Sequence, residues 1–303
     1  MRTNMRADLC MTQGDEGQAE RIRSYAVWLL QVGEKLLRVV RGKWGVRIRS
    51  DLCIDGGVEE LLGWVYPNLK ERVQSPGWAQ WVSERCVLAA KNDTVTAYND
   101  ALLDLLPGAA VELRSSDCVT EKRYKQNVGE EMLNLRNPPG RAVHNLRLKE
   151  QCPLILLINL DPLSGACNGS RMVLKAIHYH DSGAPRVLEC MLTTGDKAGT
   201  TLFIPRVPVK MEEETFPWPW VRRQFPVRTA FAMTINKAQG QTLKCCGLAL
   251  STPCFQHGQL YVALSRVGSP DNLRVAMVGD DDHNTCKADN ITANVVYTEA
   301  FGR

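Results

Sequence analysis

In the run TINKAQGQT, Thr234, Asn236, Lys237, Gln239 and Gln241 supply hydroxyl, amide and ammonium donors. Gly240, set among them, lets backbone amides approach a ligand closely. That set suits phosphate oxygens, whether of a nucleotide or of a nucleic-acid backbone. The run follows directly on the apolar FAM, so the donors sit at the end of a buried element. Taken alone, the composition equally describes an ordinary polar element end.

Arg266 closes the apolar segment GQLYVALSRV. A cation in a last helical turn is commonly a partner of the helix dipole. Arginine is also the side chain that stabilises charge on a transferring phosphoryl group. Gln259, just short of two turns earlier, falls on roughly the same helical face. Arg6 stands in the polar TNMR, and nothing in its local composition marks it.

Other residues carry less. His178 and His180 flank Tyr179 and share one face of an expected strand, but two ligands do not make a zinc site and no third is apparent. No metal ligand is assigned. Asp280–His283 reads as an exposed acidic loop. Ser265 lacks the G-x-S-x-G frame of a hydrolase nucleophile. Lys122, Arg123, Tyr124 and Lys125 form a small basic–aromatic cluster that reads as a solvated loop.

The elements that must position these residues are of two kinds. A helical period runs from about Asp15 to Val40, and GGVEELLGWVYP is a short helix stopped by Pro67. CVLAA, Cys86–Ala90, is a buried strand. A helix capped at Asn92 or Asp93 follows it and closes at Pro107-Gly108. That strand–helix unit implies a parallel α/β sheet. Between about 140 and 205, short strands alternate with the turn signals DPLSGACNG, HDSGAP and TGDKAG, a β-rich module inserted between α/β parts. The α/β pattern then returns: CCGLAL as a strand, His257–Val267 as a helix and NLRVAMV as a further strand.

The chain has 303 residues, of which 44% are hydrophobic, enough for a sizeable core. With 37 Lys and Arg against 33 Asp and Glu, the net charge of +4 permits a nucleic-acid partner without demanding one. Eleven cysteines include no C-x-x-C pair, so neither a zinc pattern nor a secreted disulfide framework is indicated. The polar N-terminus shows no signal peptide and no apolar run reaches membrane-span length. The expectation is an intracellular protein with reduced thiols and no membrane partner.

In order along the chain, TNMR, CVLAAKNDTVTAYNDALLDLLPG, CPLILLINLDPLSGACNGSRMVL, FPVRTAFAMTINKAQGQTL and HGQLYVALSRVGSPDNLRV resemble the C-terminal half of superfamily 1 DNA helicases. The similarity is to the PIF family, including forms carried by Helitron transposons, and more distantly to RecD-like enzymes. TINKAQGQT looks like helicase motif V, and YVALSR like motif VI. The resemblance covers nearly the whole chain.

It implies an α/β fold: a RecA-like parallel-sheet domain, called 2A, carrying an inserted small SH3-like β-barrel, called 2B. The expected division is 1–128 for the first part of 2A, 129–208 for 2B, and 209–303 for the rest of 2A. The family moves 5′ to 3′ on single-stranded DNA at the expense of ATP with Mg2+. By resemblance, Arg266 is the motif VI arginine finger and Arg6 the motif IV arginine that reaches the γ-phosphate. Gln239, Gly240 and Gln259 lie on the ATP side, while Thr234, Asn236 and Lys237 face the DNA backbone. Many relatives carry His at the place of Asn236, and the amide keeps hydrogen-bonding capacity there.

One departure is decisive. No G-x-x-x-x-G-K-[ST] occurs in the chain, and no Asp-Glu pair for Mg2+ is identifiable. The expectation is that the first RecA-like domain lies before residue 1 and is a partner of this one. The chain alone is then inactive as an ATPase. The alternatives are a non-catalytic single-stranded DNA-binding module and an interaction scaffold that keeps the fold. The resemblance places the protein in the nucleus, or in the mitochondrion, with roles spanning telomere maintenance, repair, recombination and transposition.

Overall fold

All six residues of the strand Cys245–Leu250 are buried, which is the mark of a central strand covered on both faces. The computed structural model describes residues 16–34, 45–121, 128–211, 216, 218–278, 285–286 and 290–297. It divides the chain into two units, one made of 1–68, 84–98 and 232–303, the other of 69–83 and 99–231. The boundaries expected after 128 and 208 both fall inside the second unit.

The first unit is built on a five-stranded, wholly parallel sheet. Its order is Ala232–Thr234, Arg85–Ala89, Cys245–Leu250, Leu273–Met277 and Cys53–Ile54. The helix Gly57–Val65 lies on this sheet through Leu61 and Val65, both fully buried. It comes so close that a Cβ on Gly247 would stand 2.7 Å from Val65 Cγ2 and 3.1 Å from Leu61 Cγ. The absence of a side chain at Gly247 sets that spacing.

The helix Glu16–Gly33 buries Ile22, Tyr25, Leu29 and Val32, the 3–4 spacing of an amphipathic stripe. It packs on the helix Gln259–Leu264. There the Tyr25 hydroxyl donates to the Leu264 carbonyl at 2.6 Å, and burial pushes the Tyr25 phenol far above its ordinary range. A small antiparallel sheet pairs Gly45–Arg47 with Ile291–Ala293, register Gly45 to Ala293, and Ile291–Ala293 with Thr285–Cys286.

The second unit is antiparallel. Five strands run in the order Thr201–Pro205, Pro185–Leu192, Arg171–Tyr179, Pro153–Leu156, Val227–Thr229, with irregularities at Leu174/Ala176 and His178/Tyr179. A second sheet joins Val207–Met211, Trp220–Gln224 and Ser116–Val119. Inside it, Arg222 and Asp117 form an ion pair in which both side chains are fully buried, Nη2 to Oδ2 at 2.7 Å. The guanidinium also donates to Asn137 Oδ1 and to the carbonyls of Ala142 and Leu133. A buried pair is tolerable only when its remaining donors are satisfied in this way.

The first helix is described over Glu16–Gly33, and the expected end near Val40 lies outside the described residues. Two other expectations shift at element ends. The helix Asn92–Leu105 begins at Asn92, so Asn92 and Asp93 lie in its first turn rather than at its cap. The helix expected over His257–Val267 spans Gln259–Leu264 only. Gly258, at φ 67, turns the chain into it, and Ser265 closes it, so Arg266 stands just beyond its end.

Candidate nucleic-acid interface

In an open parallel sheet, ligands bind beyond the carboxyl ends of the strands. Thr234 is the last residue of such a strand, and a 3-10 turn, Ile235–Ala238, follows it at once. Ile235 and Ala238 are buried and anchor the turn. Asn236, Gln239 and Gly240 are thereby exposed, with Thr234 and Lys237 half-buried. Gly240 has φ 85, the left-handed region that glycine enters without strain, and the space where a Cβ would stand is open. The sequence-predicted donors thus lie along one partly exposed strand end and turn at the ligand-binding edge.

The loop that follows Cys245–Leu250 completes this surface. Asn236 Nδ2 donates to Gln256 Oε1 at 2.6 Å, tying the turn to the loop. Gln259, only 2% exposed, holds the loop from beneath. Its Oε1 accepts from the backbone N–H of Phe255 at 3.0 Å and of Gln256 at 3.3 Å. Gln256 and its neighbours Phe255 and His257 were not singled out by residue type. Their signal was an aromatic–amide–imidazole triplet directly before Gly258. Lys91 and Asn92, exposed beyond the end of Arg85–Ala89, stand at the same edge of the sheet.

Arg266 is buried, 5% exposed, and turned inward. Nε donates to the Val262 carbonyl at 2.6 Å, and Nη1 to the carbonyls of Ala238 at 3.0 Å and Gln241 at 3.1 Å. Nη2 donates to Ser265 Oγ at 2.9 Å. Ser265 is itself buried and donates to the Val262 carbonyl, a packing role. One guanidinium therefore fastens the Ile235–Ala238 turn to the end of the Gln259–Leu264 helix.

Arg6, Lys122, Arg123, Tyr124, Lys125 and Asp280–His283 lie outside the described residues. His178 and His180 do not share a strand face, because the strand ends at Tyr179 after a register shift. His178 Nε2 instead meets Glu189 Oε2 at 2.7 Å. Among the described residues no group of three or more His, Cys, Asp or Glu side chains is placed to hold a metal ion. None of the described helices is long and apolar enough to cross a membrane.

Residues 131–176 match the family model described as DNA helicase Pif1, 2B domain. An ATP-dependent DNA helicase PIF1 of Rattus norvegicus is 30% identical over 217 residues, covering 71% of this chain and 30% of the relative. Its counterpart in Danio rerio is 31% identical over 189 residues, covering 62% and 26%. The chain matches the C-terminal region of a PIF1-family, superfamily 1 helicase. A crystal structure of Pif1 helicase from Candida albicans shares the fold at a TM-score of 0.52 and 23% identity, over 72% of this chain and 48% of that one. The parallel sheet and the antiparallel insertion are thus the α/β fold with an inserted 2B domain. The chain spans less than a third of the length of the curated relatives it matches.

In the terms of the PIF1 family, Arg266 bridges the motif V-like segment to the motif VI-like one. The PIF1 family also implies ATP and Mg2+. The described residues do not fit them unaided: Gln259 Oε1 is committed to the loop, Arg266 to four oxygens, and the sequence holds no P-loop. The exposed Gln239 and Gly240 are the ATP-side candidates the chain presents openly.

Proposed function

We propose that this chain is the single-stranded-DNA-tracking half of an ATP-dependent DNA helicase. Thr234, Asn236 and Lys237 contact the DNA backbone. Gln239 and Gly240 face the nucleotide held by a P-loop domain, and Arg6 serves that nucleotide once the domain is in place. Arg266, the arginine finger of the resemblance, would have to leave its bonds to Val262, Ala238, Gln241 and Ser265 to do the same. Translocation runs 5′ to 3′, as in the family it resembles. The observation that carries this reading is the exposed 3-10 turn at the carboxyl end of the parallel sheet, tied by Arg266 to the motif VI-like helix. A turn coupled in that way can pass a change at the nucleotide to the DNA contact.

Alone, the chain binds DNA without hydrolysing ATP. An arginine finger is worth roughly 10³–10⁵ in rate only on a nucleotide already held by a P-loop, its lysine and Mg2+. The test is a salt titration of single-stranded DNA binding beside an ATPase assay. Binding that falls steeply with salt and weakens in Lys237→Ala, with no ATP turnover, is the expected result. DNA-stimulated turnover abolished by Arg266→Ala would overturn the inactivity. Binding no steeper than a net charge of +4 explains would favour an interaction scaffold.

A further inference from the structure

Beside Asn236 and Gln256 lies an aromatic pair that the backbone contacts leave unexplained. The rings of His257 and Tyr297 stack with centroids 5.4 Å apart and planes 11° from parallel. Both residues are exposed, Tyr297 by 58%, and the nearby Phe255 is 53% exposed. The rings of His257 and Tyr297 are exposed rather than sunk in a core, so core packing does not account for the stack.

Hydrogen bonds tie together the two segments that carry the pair. The Tyr297 N–H donates to His257 Nδ1 at 2.9 Å, which places the neutral ring's proton on Nε2. The Gly258 N–H donates to the Val295 carbonyl at 3.0 Å. Val296 is buried, and Asn294 Nδ2 donates to the Val32 carbonyl at 2.8 Å. Gln259 fixes the other side of the loop through the Phe255 and Gln256 amides. A near-parallel pair held in this way presents an outer π-face at little ordering cost.

We infer that Tyr297, stacked on His257, is a platform for a nucleobase of the single strand whose phosphates meet Thr234, Asn236 and Lys237. This rests on the DNA-binding reading above. The continuity is the 2.6 Å bond from Asn236 to Gln256, which puts the loop bearing Phe255 and His257 in contact with the phosphate-binding turn. Every base offers a π-face, so such a platform tolerates any sequence. The same loop carries the Gln256 side-chain amide bonded to Asn236, so the stack and the phosphate-binding turn belong to one surface.

The test compares two labelled oligonucleotides of about 16 residues, one of thymidine and one abasic, so that the phosphates match and only the bases differ. The wild-type chain is expected to bind the thymidine strand about tenfold or more tightly. Tyr297→Ala is expected to abolish most of that difference without changing the salt slope, and Tyr297→Phe to retain it. Lys237→Ala is expected to weaken both strands alike and lower the slope. If Tyr297→Ala keeps the base preference while salt-dependent binding persists, this inference falls and the DNA-binding reading stands. If neither strand binds at low salt, both fall. Photocrosslinking of the wild-type chain to a 5-iododeoxyuridine strand gives a readout independent of any variant's folding. Adducts on Tyr297, His257 or Phe255 support the platform, and adducts confined to other peptides overturn it.

Discussion

Arg266 Nη1 donates to the carbonyl oxygen of Ala238 at 3.0 Å, across 28 positions of sequence. The same nitrogen reaches Gln241, so one cation closes the turn that carries the proposed phosphate contacts. The carbonyls of Val262, Ala238 and Gln241 and the Ser265 hydroxyl accept from the guanidinium.

Arg266→Ala is expected to destabilise the first unit by roughly 2–4 kcal/mol, since buried carbonyls lose a charged donor. Arg266→Lys is expected to recover only part, because an ammonium cannot span Val262, Ala238 and Gln241 with a planar fork. Urea denaturation of the three proteins reads the difference.

Two glycines are expected to respond to alanine for different reasons. Gly240→Ala meets open space but must keep φ 85, at a cost of about 1 kcal/mol. Gly247→Ala has no such backbone demand but drives a methyl against Val65 and Leu61, with an overpacking cost of about 1–3 kcal/mol. Replacing Val65 by Ala is expected to relieve part of the cost in the Gly247→Ala background, the Leu61 contact remaining, and none of it in the Gly240→Ala background, by urea denaturation.

Asp117→Ala leaves the Arg222 guanidinium buried without its carboxylate. Loss of one partner from such a pair costs about 3–5 kcal/mol. The loss is expected to be concentrated in the second unit, seen as faster amide exchange in Ser116–Val119 and Trp220–Gln224 than in Cys245–Leu250.

Acidification is expected to act on the same network through His144. Ser115 Oγ donates to Asp117 Oδ1 at 2.7 Å and meets His144 Nδ1 at 2.8 Å. Burial depresses the His144 imidazole below its ordinary 6.5, against the pull of Asp117 and Glu130 and with the help of Arg222 and Arg114. The folded state then binds fewer protons than the unfolded one, so the stability held above pH 6.5 declines as pH falls through that value toward the depressed one. His144→Gln is expected to flatten the dependence of melting temperature on pH between about 7 and 5. An unchanged slope would rule His144 out as its source.

The strands Arg85–Ala89 and Cys245–Leu250 were legible because central parallel strands are continuous apolar runs. The phosphate-binding turn was legible because its donors are contiguous in sequence. The inward pose of Arg266 was not, since its acceptors are backbone carbonyls that residue types do not reveal. Tyr297 was equally hidden: its partner His257 lies 40 positions away, and neither forms part of a periodic pattern. The Arg222–Asp117 pair spans 105 positions and depends on antiparallel register alone.

The pairing of Gly45–Arg47 with Ile291–Ala293 sets an order of assembly during synthesis. Residues 69–83 and 99–231 have left the ribosome well before residue 291, so the second unit can close while the first still lacks partners. The strand Cys53–Ile54 likewise waits for Leu273–Met277. Early-made segments of the first unit are therefore held open longest on the nascent chain, the interval in which unpaired strands attract chaperones or each other.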